Sequence, residues 1–133
     1  MATATDFFKN IIIIVICAAI FYLLHSYFLT SYFDLGTVSL IREQHFFLGT
    51  MTIVVFASSY VTNRISPNHT GFVFIGLLMA KMILSGIFAY KMGWLEENTP
   101  MQIKGCFFGF YFLYLIVLLV LSIKIINRLG ASN

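Results

Sequence analysis

The stretch that decides the fold is FVFIGLLMAKMILSGIFAY, residues 72–90, which is long and apolar enough to cross a bilayer but carries Lys81 near its middle. A helix of about 20 apolar residues spans a hydrocarbon core of about 30 Å, so Lys81 would lie close to the midplane. A lysine at that depth costs about 2.5–3.5 kcal/mol on insertion scales, unless it faces a protein interior, finds a partner or loses its proton. The question about function is therefore which of these solutions Lys81 uses.

The composition is that of a membrane protein. The chain has 133 residues, of which 60% are hydrophobic and 10% charged, and its mean hydropathy is +0.94. A soluble domain has about 25% charged residues. The segments between the apolar runs reach about a dozen residues, well below the size of about 50 that a separate domain needs. We therefore predict a single transmembrane domain over residues 1–133 and no extramembrane catalytic domain.

Four apolar runs predict an all-α fold, an integral membrane four-helix bundle made of two antiparallel transmembrane hairpins. The predicted spans are residues 11–32, 46–61, 72–90 and 106–125. The first run is interpreted as an uncleaved span because no small-residue cleavage site follows it. A polar connection is expected over residues 34–45. The short loop that contains Pro67 and Gly71 forces the second and third spans into a hairpin.

Small residues at helical spacing occur in the third and fourth spans. Gly76 and Ala80 form a small-xxx-small pair, and Gly105 and Gly109 form a GxxxG pair. This spacing permits close helix packing but does not tell whether the neighbouring helix belongs to the same chain. One turn after Lys81, Ser85 could accept a hydrogen bond from the ammonium. The candidate partner-binding residues are therefore Lys81, Ser85, Gly76, Ala80, Gly105 and Gly109.

Other polar and aromatic residues near the spans have simpler interpretations. The hydroxyls of Thr52 and Ser59 are expected to bond their own backbone or a neighbouring helix. His25, inside the first span, is interpreted as hydrogen-bonded within the bundle, with a polar relay as the alternative. His45 is placed in the connection beyond the same end, and two histidines are too few to predict an enzyme. Trp94 is expected to mark a membrane interface.

No residue pattern points to a cofactor, a metal or a nucleic acid. Cys17 and Cys106 lie in or beside apolar runs, where a thiol behaves as a small hydrophobe. The sequence has no CxxC motif, no His/Cys cluster and no glycine-rich phosphate loop. Glu96 and Glu97 form an acidic pair without other ligands in the sequence, and we expect them in an exposed loop.

No Asp or Glu occurs within the four predicted spans, so the chain offers Lys81 no carboxylate at its own depth. Three explanations remain open. In the first, the lysine is neutral, because burial disfavours the charged form, or is bonded to Ser85, tyrosine hydroxyls or backbone carbonyls. In the second, it lines a water-filled path as a fixed positive charge. In the third, it meets an intramembrane carboxylate on another subunit. A proton-coupled drug exporter is disfavoured because it would need a buried acidic residue.

The distribution of basic residues gives a weak preference for both termini in the cytoplasm. In that orientation the inner segments carry Lys9, Arg64, Lys124 and Arg128, and the outer ones carry Arg42, Lys91 and Lys104. An excess of basic residues on the cytoplasmic side is the usual arrangement.

The C-terminal half carries a family resemblance. It contains GFVFIGLLMAKMILSGIFA, with Lys81 and Met82 at its centre, and CFFGFYFLYLIVLLVLSIKIIN, an aromatic helix that ends in Lys124 and Asn127. This pattern resembles the small four-helix membrane proteins encoded beside ATP synthase genes in Bacteroidetes-type bacteria and, more distantly, the ATP synthase I chain.

The resemblance implies an accessory role in the bacterial inner membrane, where the protein would help the c-subunit ring of the rotary ATP synthase to assemble. The family also has a proposed role in magnesium supply. Because ring subunits carry a buried carboxylate at mid-membrane depth, Lys81 could pair with it. The alternatives are a small ion transporter or channel, for magnesium for example, and a permanent structural subunit of a larger complex. A charged Lys81 in the path would oppose a magnesium ion.

Overall fold

A computed structural model describes residues 4–31, 38–98 and 101–130. Its four long helices are α1 (Ala4–Ser31), α2 (Val38–Ile65), α3 (Thr70–Lys91) and α4 (Met101–Gly130). Over the described residues, all four are long and apolar enough to cross a membrane. The shortest, α3, has 22 residues and is therefore about 33 Å long at about 1.5 Å per residue. The predicted all-α four-helix bundle is confirmed, and its architecture is that of an integral membrane protein.

The helices extend beyond the predicted spans, and the largest difference is at the start of α2. The predicted connection over residues 34–45 is wrong from residue 38 onward, because α2 begins at Val38 and its apolar part begins at Ile41. The charged side chains of Arg42 and Glu43 point outward, whereas Gln44 and His45 are buried. The predicted end of the first span at residue 32 lies outside the described residues.

A short 3-10 helix, Pro67–His69, joins α2 to α3. The backbone N–H of Ser66 donates to the carbonyl of Thr62 at 2.7 Å and closes the end of α2. The hydroxyl of Thr70, the first residue of α3, donates to the side-chain oxygen of Asn63 on α2 at 3.0 Å. This compact connection holds α2 and α3 side by side, as predicted, but Gly71, which was predicted to lie in the loop, is the second residue of α3.

The packing divides the bundle into a core of three helices and one flanking helix. The central helix is α2, which packs against each of the other three, and α1 also packs against α4. Within the described residues, no Cα atom of α3 lies within 8 Å of a Cα atom of α1 or α4. The main apolar cluster joins α1, α2 and α4 through Ile14, Val55, Phe56, Tyr60, Leu118, Leu121 and Ile125. The flanking helix, α3, is thus attached chiefly to α2.

The turn after α3 buries the only tryptophan of the chain. Gly93 has a φ of 72°, and the N–H groups of Gly93 and Trp94 donate to the carbonyls of Tyr90 and Ala89 at 3.1 and 3.0 Å. This Schellman arrangement turns the chain back onto the helix. The indole therefore packs between Phe88 and Phe107, 4% exposed. The indole is thus covered by the bundle just beyond the end of α3, and its position at a membrane interface stays a prediction. Glu96 and Glu97 are exposed, as predicted.

Candidate functional site

Lys81 lies in the middle of α3 and is 1% exposed. Its ammonium donates to the Thr52 hydroxyl of α2 over a long distance of 3.4 Å. It also lies over the ring of Tyr111 on α4, 5.3 Å from the ring centroid. An ammonium has three N–H donors, and a hydroxyl with an aromatic face is weak compensation for a cation. Lys81 is therefore shielded from the surroundings without being fully paired.

Carboxylates are absent from the surroundings of Lys81 within the described part of the chain. The acidic residues described lie near the start of α1, near the start of α2 and in the segment after α3: Asp6, Glu43, Glu96 and Glu97. The absence predicted from the sequence thus holds in three dimensions for these residues. Burial inside its own bundle is one of the solutions expected for Lys81, but the bundle adds no opposite charge.

Ser85, one turn after Lys81, does not accept the hydrogen bond expected from it. The Ser85 side chain is 3% exposed, and its hydroxyl has no hydrogen-bond partner among the described residues. The lysine instead reaches across to α2, where Thr52 also donates to the carbonyl of Leu48 at 2.8 Å. Ser59 likewise donates to its own helix, at Val55, as expected for hydroxyls in this span. Ser85 is left as an unpaired hydroxyl beside a poorly paired cation.

The predicted small-residue pairs do not form helix contacts inside the chain. Gly76, Ala80, Gly105 and Gly109 are all exposed. At the three glycines, an added Cβ would meet no atom within 4 Å. The structure thus brings Lys81 and Ser85 together but not these four residues. Their role in binding a partner stays a prediction. The close approach within the bundle is instead at Gly49 of α2, where a Cβ would lie 3.5 Å from Cβ of Ala18.

A cleft of about 380 Å³ opens between α3 and α4, and we refer to it as the α3–α4 cleft; Lys81 itself does not line it. Its walls are mainly apolar and include Ser85, Gly86 and Ala89 of α3 and Phe108, Tyr111 and Phe112 of α4. The cleft exists because the backbones of α3 and α4 do not approach closely. Two neighbours of Lys81 line it: Ser85, whose hydroxyl is itself buried, and Tyr111, whose ring lies under the ammonium.

A second group of buried polar side chains joins the three core helices. Nδ1 of His25 and Nε2 of His45 are 2.9 Å apart, and Nδ1 of His45 is 2.9 Å from the Tyr114 hydroxyl. All three side chains are buried, and Phe110 stacks on the His25 ring at 4.6 Å. Either order of donors satisfies both contacts: Tyr114 to His45 to His25, or the reverse with the other tautomers. We call this group the histidine–tyrosine chain.

Sequence reasoning identified His25 as a candidate relay but missed its partners. His45 was placed outside the membrane, and Tyr114 was not singled out. One signal was present: His45, Thr52 and Ser59 are spaced by seven residues, so they share one face of α2. All three are buried. That periodicity would have placed His45 inside the helix.

Possible metal ligands do not form a cluster in the described part of the chain. No group of three or more His, Cys, Asp or Glu residues there could hold a metal ion. Cys17 and Cys106 are free thiols with partly buried side chains.

Fold and site together define an integral membrane four-helix protein with a buried lysine next to a lateral cleft. No protein-family model matches the chain, and no curated protein or solved structure is significantly similar to it.

Proposed function

We propose that the protein is a non-enzymatic accessory factor that helps a membrane complex to assemble or remain stable. In this function Lys81 binds a carboxylate that a transmembrane helix of the partner carries at the same depth. The observation that supports it best is the state of Lys81, which is buried in the middle of α3 with one long hydroxyl contact and an aromatic face.

The energetics favour a partner in trans. A lysine at the centre of a membrane helix costs about 2.5–3.5 kcal/mol on insertion scales, and the contacts of Lys81 within the chain offset only part of that. A buried carboxylate on a lone helix carries a similar penalty. Bringing the two together inside the membrane neutralises both charges where the low dielectric makes their attraction strong. Such a pair would form readily when a new subunit enters the membrane, which suits an assembly factor.

The resemblance of the C-terminal half suggests a candidate partner. The c subunits of the rotary ATP synthase carry a buried carboxylate at mid-membrane depth, and the resemblance implies an accessory role in assembling their ring. We propose this ring, or its unassembled subunits, as the partner of Lys81. A location in the bacterial inner membrane with both termini in the cytoplasm belongs to the same proposal.

The test is to replace Lys81 and measure both ring assembly and co-purification of c subunits from native membranes. Lys81→Gln removes the charge, and Lys81→Arg keeps it. Lys91→Gln is the matched control, because Lys91 is the exposed basic residue at the end of the same helix. We expect Lys81→Gln to lose co-purification and Lys91→Gln to retain it. Unaltered association of the Lys81→Gln protein would contradict the proposal.

A small transporter is the second candidate, favoured by a row of buried polar side chains on α2: His45, Thr52, Ser59 and Asn63. Two of the hydroxyls in that row donate to carbonyls of their own helix, and a positive Lys81 would repel cations. Ion flux into vesicles that contain the purified protein separates the two candidates. A permanent structural subunit would instead co-purify in fixed stoichiometry with the mature complex.

A further inference from the structure

We infer that the partner helix seats in the α3–α4 cleft, with its carboxylate directed at Ser85 and Tyr111, the two residues of the cleft wall that neighbour Lys81. This inference rests on the proposed function and specifies where the partner binds. Ser85 lies one helical turn from Lys81 and in the wall of the cleft. Tyr111 provides the second link, because its ring receives the ammonium and also lines the cleft.

The unpaired polar groups of this region are those that a carboxylate satisfies. The Ser85 hydroxyl is buried without a partner in the described structure, and such an orphan costs about 1–3 kcal/mol. Lys81 retains donors beyond its single long bond to Thr52. A carboxylate has two acceptor oxygens and could take a hydrogen bond from each residue. The carboxylate would thereby pair with the charged Lys81 and also accept a hydrogen bond from the neutral Ser85 hydroxyl.

Depth distinguishes a helix from a lipid as the source of that carboxylate. Lys81 lies halfway along α3, which runs Thr70–Lys91, and Ser85 lies only one turn further. Lipid head groups lie at the interface, roughly 15 Å from the middle of a hydrocarbon core of about 30 Å. A lipid could place its chains in the cleft but not its charged group beside Lys81. A carboxylate in the middle of a transmembrane helix has the right depth.

The shape of the cleft suits the side of a helix. On the α3 wall, Gly86 and Ala89 carry no bulky side chains and Met82 carries a long one, and a Cβ at Gly86 would meet no atom within 4 Å. The opposite wall presents the rings of Phe108 and Phe112, which are 50% and 57% exposed. Small residues on one wall allow close backbone approach, and the aromatic wall supplies apolar contact area. The cleft therefore accepts an apolar helix face interrupted by one acidic residue.

The inference is tested by filling the cleft while Lys81 is left intact. Gly86→Leu places a side chain in the cleft, and Gly71→Leu is the matched control, since Gly71 is also an exposed glycine of α3 with free space around it and lies outside the cleft. Both full-length variants are expressed in native membranes beside Lys81→Gln. We expect Gly86→Leu to weaken partner binding about tenfold, which corresponds to about 1.4 kcal/mol, and Gly71→Leu to leave it unchanged.

Cross-linking gives a second readout that does not require a large side chain. A photoreactive benzophenone is attached to Gly86→Cys or, as control, to Gly71→Cys, after Cys17 and Cys106 have been replaced by Ala. We expect the Gly86→Cys probe to label a peptide from a transmembrane segment with an internal Asp or Glu, and to do so at least about tenfold more than the control. Equal labelling from both positions, or labelling of lipid alone at Gly86→Cys, overturns the inference.

The variants also separate failure of the inference from failure of the proposed function. If Lys81→Gln loses the partner while Gly86→Leu keeps it, the partner binds Lys81 without occupying the α3–α4 cleft. The inference about the cleft is then wrong, and the proposed function stands. If both variants keep the partner, the proposed function fails as well. Thermal unfolding of each purified variant in detergent shows whether a loss of binding reflects a loss of fold.

Discussion

Two groups of buried polar side chains in this protein differ in how far they are satisfied. In the histidine–tyrosine chain, His25, His45 and Tyr114 bond one another at 2.9 Å. Around Lys81, the ammonium has a 3.4 Å contact to a hydroxyl, and Ser85 has no partner within the described structure. The first group is completed by the chain itself, which is typical of a structural role. The second leaves donors available, which is typical of a binding site.

The two groups also occupy different parts of the bundle. The histidine–tyrosine chain connects α1, α2 and α4, the three helices that share the main apolar cluster. Lys81 and Ser85 belong to α3, which packs closely on α2 but leaves a cleft toward α4. A polar group between well-packed helices stabilises their arrangement, whereas one on a flanking helix lies close to a cleft that a partner can occupy. Each of the following substitutions tests this distinction.

The largest expected effect is a gain of stability when Lys81 is removed. Lys81→Met keeps the length of the side chain and deletes the charge, so the isolated protein should gain up to about 2.5–3.5 kcal/mol in its free energy of unfolding. Chemical unfolding in detergent micelles, with Lys91→Met as control, measures the change. A clear loss of stability would mean that the fold needs the lysine, and the contrast between the two groups would then disappear.

Removing one hydroxyl from the histidine–tyrosine chain should have the opposite effect. Tyr114→Phe retains the buried ring but leaves a ring nitrogen of His45 without its partner, so we expect a loss of about 1–3 kcal/mol of unfolding free energy. Partner co-purification should persist in the membrane. Tyr111→Phe is the control, because its ring still receives the ammonium. Equal stability of Tyr114→Phe and wild type would show that the chain of hydrogen bonds is not structural.

The smallest effects are expected from removing either of the two hydroxyls near Lys81, those of Ser85 and Thr52. Ser85→Ala deletes a buried hydroxyl that has no partner within the described structure, so the isolated variant should be at least as stable as the wild type. Thr52→Val deletes the hydroxyl that accepts from Lys81 and should cost about 1 kcal/mol. Parallel unfolding curves of the two variants give the comparison. A larger loss for Ser85→Ala than for Thr52→Val would reverse the assignment of the free and the engaged hydroxyl.

The sequence predicts the helices well because long apolar runs in a membrane leave few alternatives to helix. It failed at the start of α2, since a local average of polarity treats Gln44 and His45 as loop residues. The partners of His45 are 20 and 69 residues away, on other helices. Their contribution cannot be seen within a local window.

The candidate site was predicted only in part, again because a local window of sequence does not show contacts between helices. Lys81 was identified from its depth alone, and the missing carboxylate from composition. The direction in which a small residue faces depends on how the helices assemble, so spacing selected Gly76 and Gly105, which are exposed, and passed over Gly49, which lies at the contact with α1. The cleft arises from the separation of α3 and α4, a tertiary property that the spacing of residues along one helix does not encode.

The most direct measurement is a double-mutant cycle between Lys81 and the intramembrane carboxylate of the partner. Lys81→Gln and conversion of the carboxylate to its amide are made singly and together, and affinity is measured in lipid nanodiscs. If the two groups pair, the second neutralisation should add less than about 0.5 kcal/mol to the loss caused by the first. Losses that simply add would contradict the pairing and with it the proposed role of Lys81.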